Sequence, residues 1–435
     1  MLVGEVLRMR DDGAIPTARY TDPAFAHLEA TRLWSHVWQV ACREEELVGP
    51  GDFVEYVIGR ESLLIVRNEA GELHALHNAC RHRGSRVAEG SGSARDCLRC
   101  PYHGWTYAFD GRLVDVVDRD DFGATLPDGL RLPAARVGTY GGFVFVNLDR
   151  GAEPLEAFLG PLPSILDKYR LGDLRLRLAR TTVLPANWKT VIDAFNGGYH
   201  VQGLHPQILP WTDDTSIAYE QFDTHARYGR LPGARRVLEP SPRLGLAPGE
   251  YDEGEILAGM VAGLGGAFLR DERRAVEELR TAGPPDGRSL LEAYQARRRE
   301  LMTARGFDVS SFLDDELTSA QDVFWFPNLV GPIYPGSAIL FRVRPNGDDV
   351  HSAINDTWVL ERPDATAPPR PPRHELVADW ETFGWDPVTR QDYDNIARVQ
   401  RGMRSSASEV LYGNPRQEGN VVHMHRVIDR YLFDA

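Results

Sequence analysis

The chain has 435 residues and a formal charge of −14, from 49 Lys and Arg against 63 Asp and Glu. That length predicts two or three domains, or one large domain with an appendage. Hydrophobic residues at 42% are enough for a sizeable core and argue against global disorder. So acidic a chain is a poor partner for nucleic acid or an anionic membrane, both of which need a basic surface. Lys168 and Lys189 are its only lysines. The four cysteines, Cys42, Cys80, Cys97 and Cys100, are too few for a disulfide framework. Three of them fall between positions 80 and 100 among histidines, which points to a metal site in a reducing compartment. No run of about 18 apolar residues predicts a membrane span. Met1–Asp12 lacks the apolar core of a signal peptide, so the expectation is a soluble cytoplasmic protein.

Residues 1–34 read as a short helical lead-in, with Asp22-Pro23 opening an apolar-periodic stretch. From about Trp38 to Leu148, short β-rich runs alternate with Gly and Asp/Asn turns. The runs at 53–58, 62–66 and 142–146 predict a compact antiparallel β domain. A helix is expected at 154–169 and another, with unusual polar content, at 187–204. Residues 210–310 are the least regular, with charged helical stretches near 252–282 and 288–305, and read as an insertion or lid. Strands return at 322–362. Pro363–Pro372 is a Pro-rich linker, and helices follow at about 386–403 and 421–433. The second half is therefore α+β.

The first candidate site is Cys80-Arg81-His82, then Cys100-Pro101-Tyr102-His103-Gly104-Trp105. Each half supplies one thiolate and one imidazole from a loop between strand signals. A [2Fe–2S] cluster with two Cys on one iron and two His on the other needs this pairing, and neutral imidazoles raise its potential above that of an all-Cys cluster. Gly84 and Gly104 suit the tight loops that wrap a cluster. A zinc site built on Cys97-Leu98-Arg99-Cys100, with Cys80 and a histidine, is the alternative. Otherwise Cys97 is a small loop residue and Cys42 a buried strand residue.

The second candidate site lies on 187–205. Trp188, Val191, Ile192, Phe195 and Tyr199 form a helical apolar face, and Asp193, Asn196, Gly197 and His200 a second stripe. His200 and His205 are five apart, about 140° around an ideal helix. Both reach one metal only if the helix distorts or ends between them, which Gly203 and Pro206 favour. Two His and one carboxylate leave iron positions open for oxygen chemistry. In the helix near 386–403, Asp392 stands at −4, −7 and −11 from Ile396, Val399 and Met403, and so faces inward. Asp394 aligns instead with Arg398 and Arg401 on a solvent face. Periodicity thus selects Asp392 as third ligand, with Asp394 as runner-up; the competing reading is that Asp392 caps the helix.

Cys-x-His-Arg-Gly followed by Cys-Pro-Tyr-His-Gly-Trp resembles the Rieske domain of ring-hydroxylating oxygenase large subunits. The likeness extends through Trp38, Pro50-Gly51-Asp52, Val66-Arg67-Asn68 and Asp110-Gly111. Asn187-Trp188-Lys189, Tyr199-His200 with His205, Gln400-Arg401-Gly402-Met403-Arg404-Ser405 and His423-Met424-His425-Arg426 are similar to the catalytic part of the same family. The resemblance implies a Rieske [2Fe–2S] domain at 37–150, held through Cys80, His82, Cys100 and His103. It also implies a helix-grip (START-like) catalytic domain at 151–435, with an antiparallel sheet, helices and the 210–310 insertion. Residues 1–36 would then pack on the catalytic domain. By the same match His200, His205 and Asp392 take a mononuclear non-heme Fe(II).

The family usually has an acid three residues before the first His ligand, hydrogen-bonded to a Rieske His of a neighbouring subunit. This chain has Gly197 there, so Asp193, or else Asn196, is expected to substitute.

The implied activity is that of a terminal oxygenase component. It takes electrons, ultimately from NAD(P)H, through a reductase and sometimes a ferredoxin. With O2 it dihydroxylates, monohydroxylates or demethylates an aromatic or other apolar ring-type molecule. No Gly-rich dinucleotide fingerprint is in context, so the reductase is a separate chain. The family analogy implies a homotrimer or an α3β3 assembly. A Rieske electron carrier without catalysis is the rival, against which the length of the chain argues. Phe195, Leu204, Phe324, Trp325 and Phe326 are candidates for an apolar pocket or for ordinary core.

Overall fold

The structure is a computed structural model and describes residues 7–229, 239–246, 250–263, 268–363 and 373–434. The linker expected at Pro363–Pro372 lies almost wholly outside the described residues. The chain divides into two compact units, His27–Leu159 and a second made of Met1–Ala26 with Gly160–Ala435.

In the 27–159 unit, a seven-stranded antiparallel sheet has the strand order 39–43, 143–147, 134–140, 73–77, 61–67, 52–58, 91–93. Leu63–Val66 are buried in succession, so both faces of the inner strand 61–67 are covered. A small sheet of strands 98–99, 106–107 and 113–115 carries the second Cys/His loop. Leu64, Leu76, Leu98, Trp105, Tyr107 and Phe109 form the core that joins them, and Cys80 and Cys100 sit within it. Cys42 is buried in strand Gln39–Arg43, as expected.

The other unit is built on an eight-stranded sheet, in the order 218–221, 226–229, 321–325, 329–334, 337–346, 349–361, 175–184, 373–377. It departs from the expected antiparallel sheet at one edge, where 373–377 pairs parallel to 175–184. The preceding strand, 349–361, already holds the other edge of 175–184 antiparallel. A chain that reverses after it and crosses to the far edge must therefore run parallel. Gly331, at φ +145°, lies so close to strand 337–346 that a Cβ would sit 2.3 Å from the Ile339 carbonyl oxygen. Only glycine fits there without shifting the pair.

Seven helices matter for the site and are numbered in chain order: α1 (Trp188–Phe195), α2 (Val201–Leu204), α3 (Glu253–Gly263), α4 (Arg270–Ala282), α5 (Leu290–Ala304), α6 (Pro387–Met403) and α7 (Gly419–Phe433). The single helix expected at 187–204 is thus two, and the stretch expected at 154–169 is the short helices Leu155–Leu159 and Leu162–Leu166 with 3-10 turns. Helices α3, α4 and α5 contribute Met260, Val276 and Tyr294 to one apolar cluster with Trp211 and Tyr334. Arg298 of α5 and Glu272 of α4 form a fully buried ion pair at 2.7 Å. At the N-terminus, Ile15–Pro16 pairs antiparallel with Val410–Leu411. Arg19 is buried and donates to Asp429 at 2.6 Å. No described helix is long and apolar enough to cross a membrane.

Candidate metal centres

The two loops of the first centre repeat one backbone pattern. Cys80 N–H donates to the Ser85 carbonyl and Gly84 N–H to the Cys80 carbonyl, both at 2.8 Å. In the other loop Cys100 N–H donates to the Trp105 carbonyl at 2.8 Å and Gly104 N–H to the Cys100 carbonyl at 3.1 Å. The His82 and His103 ring centroids are 4.5 Å apart, and His82 stacks on the buried Trp105. Both Cys80 and Cys100 are free thiols in the core.

The donor chemistry fits a two-iron cluster. His82 Nδ1 is buried and has no hydrogen-bond partner, as a ring nitrogen kept for a metal would be. One zinc would need at least three of these Cys and His donors to converge. Among the described residues, the one group of three or more potential ligands with donor atoms within 4.8 Å of one another is elsewhere. Burial, with Cys100 adding to it, raises the Cys80 thiol, while the Tyr107 hydrogen bond opposes the rise. The Tyr107 hydroxyl accepts from Arg81 N–H at 2.9 Å and lies 3.2 Å from Cys80 Sγ, to which it donates once Cys80 is a thiolate with no proton of its own. Tyr107 had no local signal in the sequence; it stands on the strand after the second loop.

The second centre is that converging group, His200, His205 and Asp392. Asn187 caps α1, its side chain accepting from Lys189 N–H at 3.0 Å. The helix breaks at Asn196, whose φ/ψ of −104°/22° is not helical. Gly198 lets the chain pass Ile217, whose Cδ1 would lie 2.7 Å from any Cβ there. Helix α2 then ends at His205 with a non-helical φ/ψ of −123°/54°. The distortion needed for both imidazoles to reach one point therefore falls on either side of α2, rather than at Gly203. Gln400 of α6 accepts from Asn187 N–H at 2.9 Å and from the Thr190 hydroxyl at 2.8 Å, which locks α6 against α1.

Asp392 faces the histidines: His205 Nε2 is 2.8 Å and His200 Nε2 3.8 Å from its Oδ1. The cap of α6 is Asp386, which accepts from Thr389 N–H, so Asp392 is not the cap. The inward face differs in detail from the periodic reading. Val399 is 40% exposed, and Tyr393, Ile396, Ala397, Gln400 and Met403 are the buried positions beside Asp392. Asp394 pairs with Arg390 at 3.0 Å, one turn back, and not with Arg398 or Arg401. Gln391, which the sequence reading passed over, accepts from Gln207 and so takes the Nδ1 proton of His205 at 2.8 Å. That leaves the His205 Nε2 lone pair facing a carboxylate oxygen, an arrangement that needs a proton or a cation between them. Burial lowers the His205 value, but the hydrogen bond to and charge of Asp392, the Gln391 hydrogen bond and the Asp386 charge together outweigh it, and the net shift is upward. Burial holds His200 below its usual value.

The triad opens into a cavity of about 280 Å³, near the small end of ligand sites, which run to roughly 300–1,000 Å³. Phe195 lines it. Leu204, Phe324, Trp325 and Phe326 do not, and the last three are core. Among the residues that line it without a signal in the sequence are Trp211, Asp213, Tyr228, Asp322 and Tyr334. Asp193 and Asn196 lie away from this wall. Asp193 Oδ2 accepts from the Tyr20 hydroxyl at 2.6 Å, beside buried His425. Asn196 donates to the Asn420 carbonyl at 3.4 Å.

The model of the Rieske [2Fe-2S] domain matches residues 37–125. That of the ring hydroxylating alpha subunit (catalytic domain) matches 171–257 and 271–433, together more than half of the chain. The chain is 28% identical to the glycine betaine monooxygenase oxygenase subunit of Chromohalobacter salexigens, over 93% of this chain and 82% of that one. It is 37% identical to the anthranilate 1,2-dioxygenase large subunit of Acinetobacter baylyi, over 45% of this chain and 43% of that one. Among solved structures, a quaternary ammonium Rieske monooxygenase in complex with L-carnitine superposes with a TM-score of 0.66 at 17% identity, covering 98% of each chain. Naphthalene 1,2-dioxygenase with indole bound gives 0.67 at 18% identity, over 98% of this chain and 93% of that one. The two structures establish a shared fold.

Proposed function

Because this chain belongs to the ring hydroxylating alpha subunit family and carries its Rieske domain, we propose that it is the terminal oxygenase of a multicomponent system acting on a small, largely apolar molecule. It is a Rieske-type oxygenase whose cofactors are a [2Fe–2S] cluster and a mononuclear non-heme iron. When bound, the cluster supplies single electrons and the iron supplies open positions for oxygen chemistry. In a monooxygenation, one C–H group, O2, two electrons and two protons become C–OH and water. Dihydroxylation places both oxygen atoms on the substrate, and demethylation follows hydroxylation of a methyl group.

The residues divide the work. Cys80, Cys100, His82 and His103 hold the cluster, and Tyr107 donates a hydrogen bond to Cys80. His200, His205 and Asp392 hold the iron, with Gln391 fixing the His205 ring. The cavity walls exclude water and position the substrate. Asp193 and Asn196 are assigned to linking the two centres; each has one buried oxygen, Oδ1, without a hydrogen-bond partner. If Asp193→Ala leaves cluster oxidation coupled to product formation, that assignment is wrong.

The finer organisation belongs to the same proposal: a lead-in at 1–36, a Rieske domain at 37–150 and a helix-grip (START-like) catalytic domain at 151–435 with 210–310 as lid. The contribution of Trp211 and Met260 to the cavity wall supports the lid. To the same proposal belong a reductase, with or without a ferredoxin, as electron source, a homotrimer or α3β3 assembly, and the cytoplasm as the place of action.

The observation that carries the reading is the convergence of His200, His205 and Asp392 on the wall of a cavity, in a chain that also has the two Cys/His loops. Metal analysis with a product assay tests it. About three irons per chain and O2-dependent product with a surrogate reductase are expected. Two irons and no product would make the chain a Rieske electron carrier.

A further inference from the structure

The cavity beside the iron triad has a one-sided charge. Among the described residues its lining includes no Lys or Arg, but it includes two carboxylates besides Asp392: Asp213 and Asp322. Asp213 accepts from the Thr215 backbone and hydroxyl at 3.0 and 2.6 Å. Asp322 is held differently. It stands on strand 321–325, directly across from Tyr228 and from Pro332 on the neighbouring strands, and all three line the cavity. Its side-chain partner among the described residues is the Tyr228 hydroxyl, for whose single proton Asp322 competes with the Phe195 carbonyl at 3.0 Å. Among the described residues, no Lys, Arg or His pairs with either Asp213 or Asp322.

A carboxylate in such a place is costly unless a cation compensates it. Burial accordingly pushes the Asp322 carboxyl up to about 7. The walls around it are aromatic. Trp211, Tyr228 and Tyr334 line the same space, and aromatic faces attract cations that have left water. The benzo edge of Trp211 is packed on Gly259 and Gly263 of α3, and its indole N–H, on the other ring, has no partner. With a divalent ion on the triad and both further carboxylates ionised, the described lining residues carry one excess negative charge. One monocationic ligand cancels it.

We infer that the substrate is a cation, an alkylated ammonium on a small apolar frame, and that Asp322 with Trp211, Tyr228 and Tyr334 selects it by charge. This rests on the reading of the cavity as the substrate site of an oxygenase and narrows the substrate class within it. A neutral hydrocarbon of the same shape would leave Asp322 protonated and the aromatic walls without a charge to meet.

Two isosteres test this without turnover: phenyltrimethylammonium and tert-butylbenzene differ by a positive charge and little else. Titration calorimetry on the iron-loaded full chain at pH 8 should show the cation binding at least tenfold more tightly. Asp322→Asn should reduce cation affinity at least fivefold and leave tert-butylbenzene affinity unchanged. Equal affinities, tighter binding of the neutral compound or no binding of the cation would overturn the inference. So would an Asp322→Asn variant that loses both ligands equally, since the residue would then only shape the cavity. The wild-type comparison decides the matter even where the variant fails to fold. Iron content measured on the same sample separates the two readings. Three irons with no charge preference would leave the oxygenase standing and sink the cation; a charge preference with two irons would do the reverse.

Discussion

Replacing Tyr107 with phenylalanine removes one oxygen atom from the wall of the cluster site and leaves the ring in place. That oxygen lies 3.2 Å from Cys80 Sγ and gives its proton to it when Cys80 is the thiolate that holds a cluster. Reduction adds negative charge to the cluster and its sulfurs, so the hydrogen bond is stronger in the reduced state and holds the potential up. A hydrogen bond to a charged group contributes roughly 1.5–3 kcal/mol. If about half of that distinguishes the two redox states, the difference is about 0.8–1.5 kcal/mol, and the potential of this one-electron couple falls by about 35–65 mV. The other consequence is local. Arg81 N–H loses its acceptor, but Arg81 is exposed and water can replace it. Spectroelectrochemical titration of the visible cluster bands measures the shift, with cluster iron content as the control for an intact site. A potential unchanged to within about 10 mV, or one that rises, would show that the Tyr107 proton does not serve the sulfur.

Asp392→Ala should lower the iron content from about three to about two per chain and abolish product while the visible cluster absorption stays, which metal analysis and spectroscopy together check. Glu272→Ala should destabilise the catalytic unit by about 3–5 kcal/mol in a denaturant titration, because it strands a buried Arg298. Asp193, raised to about 7 mainly by burial, keeps its proton in the folded chain after the unfolded chain has lost it at about pH 4. Its contribution to stability therefore declines as pH rises from about 4 through about 7, and Asp193→Asn, which preserves the Tyr20 hydrogen bond, should flatten that decline in urea midpoints at pH 5 and pH 8. Asp356 has the opposite sign. Burial opposes its charge, but Arg342 and Arg344 outweigh that and hold it well below the usual carboxylate range. The stability it contributes is present above about pH 4 and is lost as pH falls through its lowered value, a loss that Asp356→Asn should remove from the acid limb.

The ligands were legible because their chemistry is local. Cys80 with His82, Cys100 with His103 and His200 with His205 lie within a single loop or turn, where spacing alone limits what the side chains can reach. Asp392 was within reach because a helix converts sequence distance into a face. The same conversion was imprecise. It put the exposed Val399 on the inward side, because the true face is centred on Tyr393, Ile396 and Gln400, between the neighbouring stripes. The break of 187–204 into α1 and α2 was foreseen as a need but placed too far along. The reason is tertiary: Ile217 and Tyr219 crowd Gly198, and no residue within the helix announces them.

The specificity of the cavity was out of reach for a related reason. Tyr228 and Asp322 are neighbours only through strand register, and α3, α4 and α5 intervene between their strands. The third member of that row, Pro332, follows Gly331, and the pair 329–334 with 337–346 keeps one register on either side of the two. The close approach of Gly331 to the Ile339 carbonyl holds the two strands tight next to Pro332, which with Tyr334 lines the cavity. A strand pattern predicts that such a segment is buried on one side, but a slip of one residue would turn Asp322 to the opposite face of the sheet. Metal chemistry in this chain is therefore written in short spacings. The charge that meets the substrate is written in the pairing of strands, and only the folded sheet brings Asp322, Tyr228 and the triad to one wall.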